Sequence, residues 1–140
     1  MKKLRRKNFT LIEVVIVIII LVTLASIATP MYFRQVNKTR VGAAKSQISL
    51  FEQAIEDYRV ENNKLPSELK DLIEDPGDAE TWNGPYIKGS VVPKDPWGNE
   101  YIYTVEDDKK YQILSYGADG EPGGEKENAD ISNIELTGNE

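Results

Sequence analysis

From Val14 to Phe33 the chain carries no charged residue, and most positions are isoleucine, valine or leucine. As an α-helix these 20 residues would span about 30 Å, the thickness of a bilayer's hydrocarbon core. So much β-branched sequence would suit a strand, but the run is far too long, and a lone strand could not satisfy its backbone groups in lipid. The pattern predicts a membrane helix, with Pro30 expected to kink or locally melt it because proline lacks the N–H of the helical ladder. Beyond Pro30 helical spacing resumes. Ala44, Ile48, Phe51, Ile55 and Tyr58 recur at steps of four and three, with Lys45, Glu52, Glu56 and Arg59 between them. This is the stripe of an amphipathic helix that should end near Asn62 and pack on a sheet.

After Asn63 the pattern shortens. Pro66-Ser67 should open a brief second helix with Ser67 as N-cap and Leu69, Leu72 and Ile73 facing inward. Tyr101 to Val105 alternates apolar and polar, turns at Asp107-Asp108 and continues at Tyr111 to Ser115, which predicts an antiparallel hairpin. A further strand is expected at 86–88. The run after Gly120 is poor in apolar residues and is expected to be mobile unless a ligand orders it. The elements predict an α+β protein: a long N-terminal helix, half membrane-spanning and half amphipathic, packed on a small antiparallel sheet.

Composition narrows the chemistry. The 140-residue chain has no cysteine and no histidine, which excludes disulfides, thiolate metal sites, a cysteine nucleophile and a Ser-His-Asp triad. Residues 1–8 hold five of the 17 Lys and Arg and no acid; the remainder sets 12 basic residues against 23 acidic ones. An acidic body repels phosphate backbones, so nucleic acid is not an expected partner. Five cations directly before an apolar run favour a cytoplasmic N-terminus, with the acidic body translocated.

Glu13 interrupts the greasy run. A carboxylate deep in a bilayer costs about 2.5–3.5 kcal/mol even on lenient scales. It could cap the helix start near the headgroups, or it could have a charged partner. The segment KNFTLIEVVIVIII resembles the class III signal of type IV pilins and pseudopilins: a basic leader, Phe, Thr-Leu-Ile, Glu, then the hydrophobic helix. A cleaved secretory signal peptide is the alternative, ASIAT offering small residues for a cut. The resemblance implies that a prepilin peptidase cuts between Asn8 and Phe9 and methylates the new amine, leaving Glu13 fifth in the mature chain. It also implies that Glu13 meets the amine of a neighbouring subunit in a filament. The residue before the cut, nearly always Gly in that family, is Asn8 here. The implied division is a leader, 1–8; a transmembrane and assembly helix, 9–33; and a globular periplasmic domain, 34–140.

Two further motifs narrow the resemblance. Lys94-Asp-Pro-Trp-Gly-Asn-Glu-Tyr101 has turn chemistry, with Asp and Pro in its first half, Gly98 free to take positive φ, and Trp97 as an apolar anchor. It is similar to the PxDPWGxxY segment of the major pseudopilin family of type II secretion. The stretch from Ser115 to Ile131, SYGADGEPGGEKENADI, spreads oxygen donors over a glycine-rich loop, as a hard cation requires, without EF-hand spacing. By composition alone such a stretch is more often solvated loop than metal site. Its similarity to the GADGxxGGxxxxAD loop of the same family implies one structural calcium ion held by Asp119, Asp130, Asn128 and the carbonyl of Tyr116. Asn128 stands where that family often has an acid, with Glu125 and Glu127 nearby as substitutes.

The implied function is structural rather than enzymatic: a subunit that polymerises into the pseudopilus of a type II secretion system and drives export of folded proteins across the outer membrane. Expected partners are other copies of the chain, minor pseudopilins, the inner-membrane assembly platform, the peptidase and, before assembly, membrane lipid. The alternative is a major type IV pilin of surface fibres, which the absence of cysteine, the DPWGNEY turn and the calcium-like loop disfavour. A membrane-anchored hydrolase is the remaining class, but no nucleophile with a base and an orienting group is identifiable.

Overall fold

The computed structural model describes residues 9–79 and 81–134. Its chain forms two units, 1–37 and 38–140. One helix, α1, runs unbroken through Leu11–Asn62.

The described part of the first unit is almost wholly α1. From Leu11 to Phe33 its large apolar side chains are exposed, from Val15 at 41% to Leu11 at 83%. The hydroxyls in this run are satisfied locally: Ser26 donates to the Thr23 carbonyl at 2.8 Å and Thr29 to the Ala25 carbonyl at 2.7 Å, while Thr23 donates to the Ile19 carbonyl. Such back-bonding lowers the cost of hydroxyls in an apolar medium. Of the two outcomes predicted at Pro30, a kink or local melting, melting does not occur; helical geometry continues on both sides of it. A proline removes one ladder bond, and the remaining bonds and residues hold the turn.

In the second unit the amphipathic half of α1 buries Ala44, Ile48, Phe51, Ala54, Ile55 and Tyr58, the predicted stripe with Ala54 added. Each large apolar side chain removed from water contributes about 1.5–3 kcal/mol. The helix stops because Asn63 adopts φ 55° and donates its N–H to the Arg59 carbonyl at 2.9 Å, an asparagine-type C-terminal cap. One 3-10 turn follows at Leu69–Leu72. Ser67 is not its cap. Glu68 occupies that position, and the Asp71 carboxylate accepts the N–H groups of Ser67 and Glu68 at 2.8 and 3.1 Å. From the third position of the turn, Asp71 reaches back to the backbone N–H of the cap residue Glu68, as the acid of a capping box does.

The sheet has three antiparallel strands in the order β1-β2-β3: β1 Ile102–Asp107, β2 Lys110–Ser115 and β3 Ile131–Ser132. β1 and β2 form the predicted hairpin, Tyr103 facing Ile113 and Val105 facing Tyr111, with a bulge between Val105 and Asp107. The strand expected at 86–88 is not formed. The N–H groups of Tyr86 and Ile87 donate instead to the Leu72 carbonyl, at 2.8 and 3.3 Å. These residues pack on the core as an irregular segment, Tyr86 edge-on to Tyr58 with centroids 5.5 Å apart. The third strand comes from the polar tail, where Ile131, Ser132 and Asn133 are buried and the Asn133 side-chain oxygen accepts the Ile113 N–H at 2.8 Å. At the centre, Phe51 and Tyr101 meet edge-to-face at 5.1 Å and 74°.

Candidate functional site

Two regions carry the predicted sites. At the helix start, Thr10 acts as the cap: its carbonyl accepts the Glu13 N–H at 3.2 Å and its hydroxyl approaches the same N–H at 3.4 Å. Phe9 is 79% exposed, and Glu13 is exposed one turn into α1. Asn8 lies outside the described residues. Among the described residues Glu13 has no ion-pair partner within its own chain. Its carboxylate sits where the helix dipole favours a negative charge.

The second region is the loop between β2 and β3. Ala118 donates its N–H to the Glu127 carbonyl at 2.9 Å, which lays 117–119 against 127–129. The fit is close. A Cβ on Gly117, which has φ 69°, would stand 2.7 Å from the Glu127 carbonyl oxygen, and one on Gly124 would stand 2.5 Å from that of Asn128. Only glycine permits this approach. The Gly123 N–H donates to both oxygens of Asp130 at 3.0 Å, and the Glu121 N–H to Asp119 at 3.3 Å. Tyr116, Asn128 and Asp130 are half-buried and Asp119 is exposed. The fold thus brings the Tyr116–Asp119 limb of the predicted ligand set beside the limb holding Asn128.

No group of three or more acidic side chains is assembled among the described residues. A cation here would draw on the carboxylates of Asp119 and Asp130, the Asn128 amide and main-chain oxygens. That donor set suits a hard divalent ion, since two carboxylates match its charge and neutral oxygens complete the shell. Glu125 and Glu127 are both exposed.

The sequence did not show that the DPWGN turn and this loop are one construction. Asp95, 5% exposed, accepts the N–H groups of Trp97 and Asn99 on one carboxylate oxygen, at 3.1 and 2.8 Å, and the Ser115 hydroxyl on the other at 2.7 Å. Asn99 in turn donates its side-chain amide to the Gly117 carbonyl at 3.0 Å. Both links reach about 20 residues along the chain, so neither motif alone signals the other.

The long helix, the small antiparallel sheet and the glycine-rich loop define a pilin-like protein. A family model described as type II secretion system (T2SS), protein G, matches residues 31–134, and a prokaryotic N-terminal methylation motif matches residues 5–29. The chain is 39% identical to the type II secretion system core protein G of Vibrio cholerae, over 95% of both chains. It is 35% identical to that of Xanthomonas campestris, over 89% of this chain and 87% of the relative. The crystal structure of the major pseudopilin from the type 2 secretion system of enterohaemorrhagic Escherichia coli is similar with a TM-score of 0.58 and 27% identity, covering 73% of this chain and 92% of that one.

The chain belongs to the type II secretion system protein G family. It is a pseudopilus subunit, and between the secretion and surface-fibre readings the family decides for secretion.

Proposed function

We propose that the chain is made with a leader, 1–8, cut between Asn8 and Phe9, and that residues 9–33 then serve first as a membrane anchor and later as the filament's assembly helix. The globular domain, 34–140, stands outside the cytoplasmic membrane with the N-terminus inside. The observation that carries this reading is the apolar surface left uncovered on α1, including Ile16, Ile18, Ile20 and Leu24, each at least half exposed. Only lipid or other copies of the helix can cover such a surface at acceptable cost.

Glu13 explains why copies would replace lipid. Cleavage would create a positive amine on Phe9, and the Glu13 carboxylate of a neighbouring copy would pair with it, relieving an acid that is costly in lipid. Growth of the filament, with minor pseudopilins and the inner-membrane assembly platform, would then drive folded proteins across the outer membrane. A calcium ion held by Asp119, Asp130, Asn128 and the Tyr116 carbonyl would cross-link the loop, supplying order that a segment so poor in apolar groups lacks.

Mass spectrometry of membranes should find a chain beginning at N-methylated Phe9, and an intact Met1 start would refute the processing step. Glu13→Val, expressed at limiting level, should lose most filaments while the protein remains in the membrane; filaments equal to the parent's would refute the pairing.

A further inference from the structure

The DPWGN turn grips the first limb of the loop at two successive peptide groups. In a trans peptide the C=O and the following N–H point in opposite directions, so fixing one fixes the other. The Gly117 N–H donates to the Ser115 hydroxyl at 3.3 Å, and that hydroxyl is held by the buried Asp95 carboxylate at 2.7 Å. The Tyr116 carbonyl, the other end of that peptide, is therefore turned away from Ser115. One residue on, Asn99 holds the Gly117 carbonyl at 3.0 Å, while the Ala118 N–H at the other end of that peptide reaches the Glu127 carbonyl at 2.9 Å. Asn99 is itself fixed at both backbone ends, its N–H on the Asp95 carboxylate at 2.8 Å and its carbonyl on the Asp95 N–H at 2.9 Å. Its side chain also lies against the next turn of the loop, since a Cβ on Gly120 would be 3.4 Å from the Asn99 side-chain oxygen.

We propose that Asn99, braced by Asp95, is a positioning residue for the metal loop: it fixes the Gly117–Ala118 peptide, which follows the Tyr116 carbonyl turned by Ser115, and so sets the approach to Asp119 without touching the ion. The inference rests on the calcium reading given above. Its physical content is preorganisation, because a main-chain ligand already aimed correctly loses less entropy when the ion binds.

The test uses the full-length chain in detergent, with calcium chloride titrated against a chromophoric chelator and thermal unfolding followed in excess chelator and in excess calcium. Asn99→Ala should weaken calcium binding about tenfold, the scale of one lost hydrogen bond, while the midpoint in chelator stays near the parent's. An affinity within twofold of the parent's, with a lower midpoint in chelator, would reduce Asn99 to a structural support and overturn the proposal. Asn99→Asp gives a second reading if the alanine variant does not fold. Its added charge would by attraction alone tighten calcium binding, whereas lost positioning weakens it, so tighter binding would overturn the proposal. Failure of the calcium reading itself would be seen separately, as a parent chain whose two unfolding curves coincide.

Discussion

The Ser115 hydroxyl donates to the Asp95 carboxylate at 2.7 Å, both residues being buried and 20 positions apart in the chain. This bond ties the end of β2 to the DPWGN turn, and the other oxygen of the same carboxylate closes the turn on itself. Asp95→Ala leaves three donors without their acceptor in a water-poor site. Loss of a hydrogen bond to a charged group costs about 1.5–3 kcal/mol, so the urea midpoint of the globular domain should fall clearly. A double-mutant cycle with Ser115→Ala should return a coupling of about 1 kcal/mol or more.

Tyr101 should make the domain sensitive to alkali. Burial, with a smaller contribution from the nearby Asp95, pushes its hydroxyl from the ordinary 10.0 up to about 12. A raised pKa means that the unfolded chain loses its proton first. Stability is therefore complete below about pH 10 and declines as pH rises toward 12. Among the described residues the Tyr101 hydroxyl has no hydrogen-bond partner, so Tyr101→Phe should cost little at pH 7 and should flatten the decline. Unfolding midpoints at pH 8 and pH 11 for both proteins would check this.

Phe51 lies at the centre of the core, fully buried and edge-on to Tyr101. Phe51→Ala should lose about 3–5 kcal/mol, measured by chemical denaturation. The exposed Leu50 next to it, at 55%, should tolerate Leu50→Ala with less than about 1 kcal/mol of change.

Excess chelator should lower the unfolding midpoint of the parent chain by many degrees, and calcium should restore it. Asp130→Ala and Asp119→Ala should each shrink the difference between the two conditions. Gly124→Ala should do so as well, because its Cβ would press on the Asn128 carbonyl. Equal midpoints with and without calcium in the parent would remove the ion from the account.

The elements held by local pattern were legible in the sequence. The apolar run, the stripe from Ala44 to Tyr58 and the hairpin strands repeat with helical or strand period, and period depends only on residues a few positions apart. Glu13 stood out as an acid in an apolar run, whereas Phe9 and the limbs of the loop were named only through the family resemblance that their short motifs carry. What period cannot express is which distant group satisfies a given polar atom. Tyr86 and Ile87 look like a strand, yet their N–H groups are taken by Leu72, and the strand role passes to Ile131–Ser132 in a tail whose composition reads as loop. Asp95 joined to Ser115 follows the same rule. The sequence by itself determined the apolar N-terminal helix, its amphipathic continuation and the family. Tertiary structure alone decided the third strand and the coupling of the turn to the loop, because buried donors and acceptors must be paired and only the folded chain brings their partners within reach.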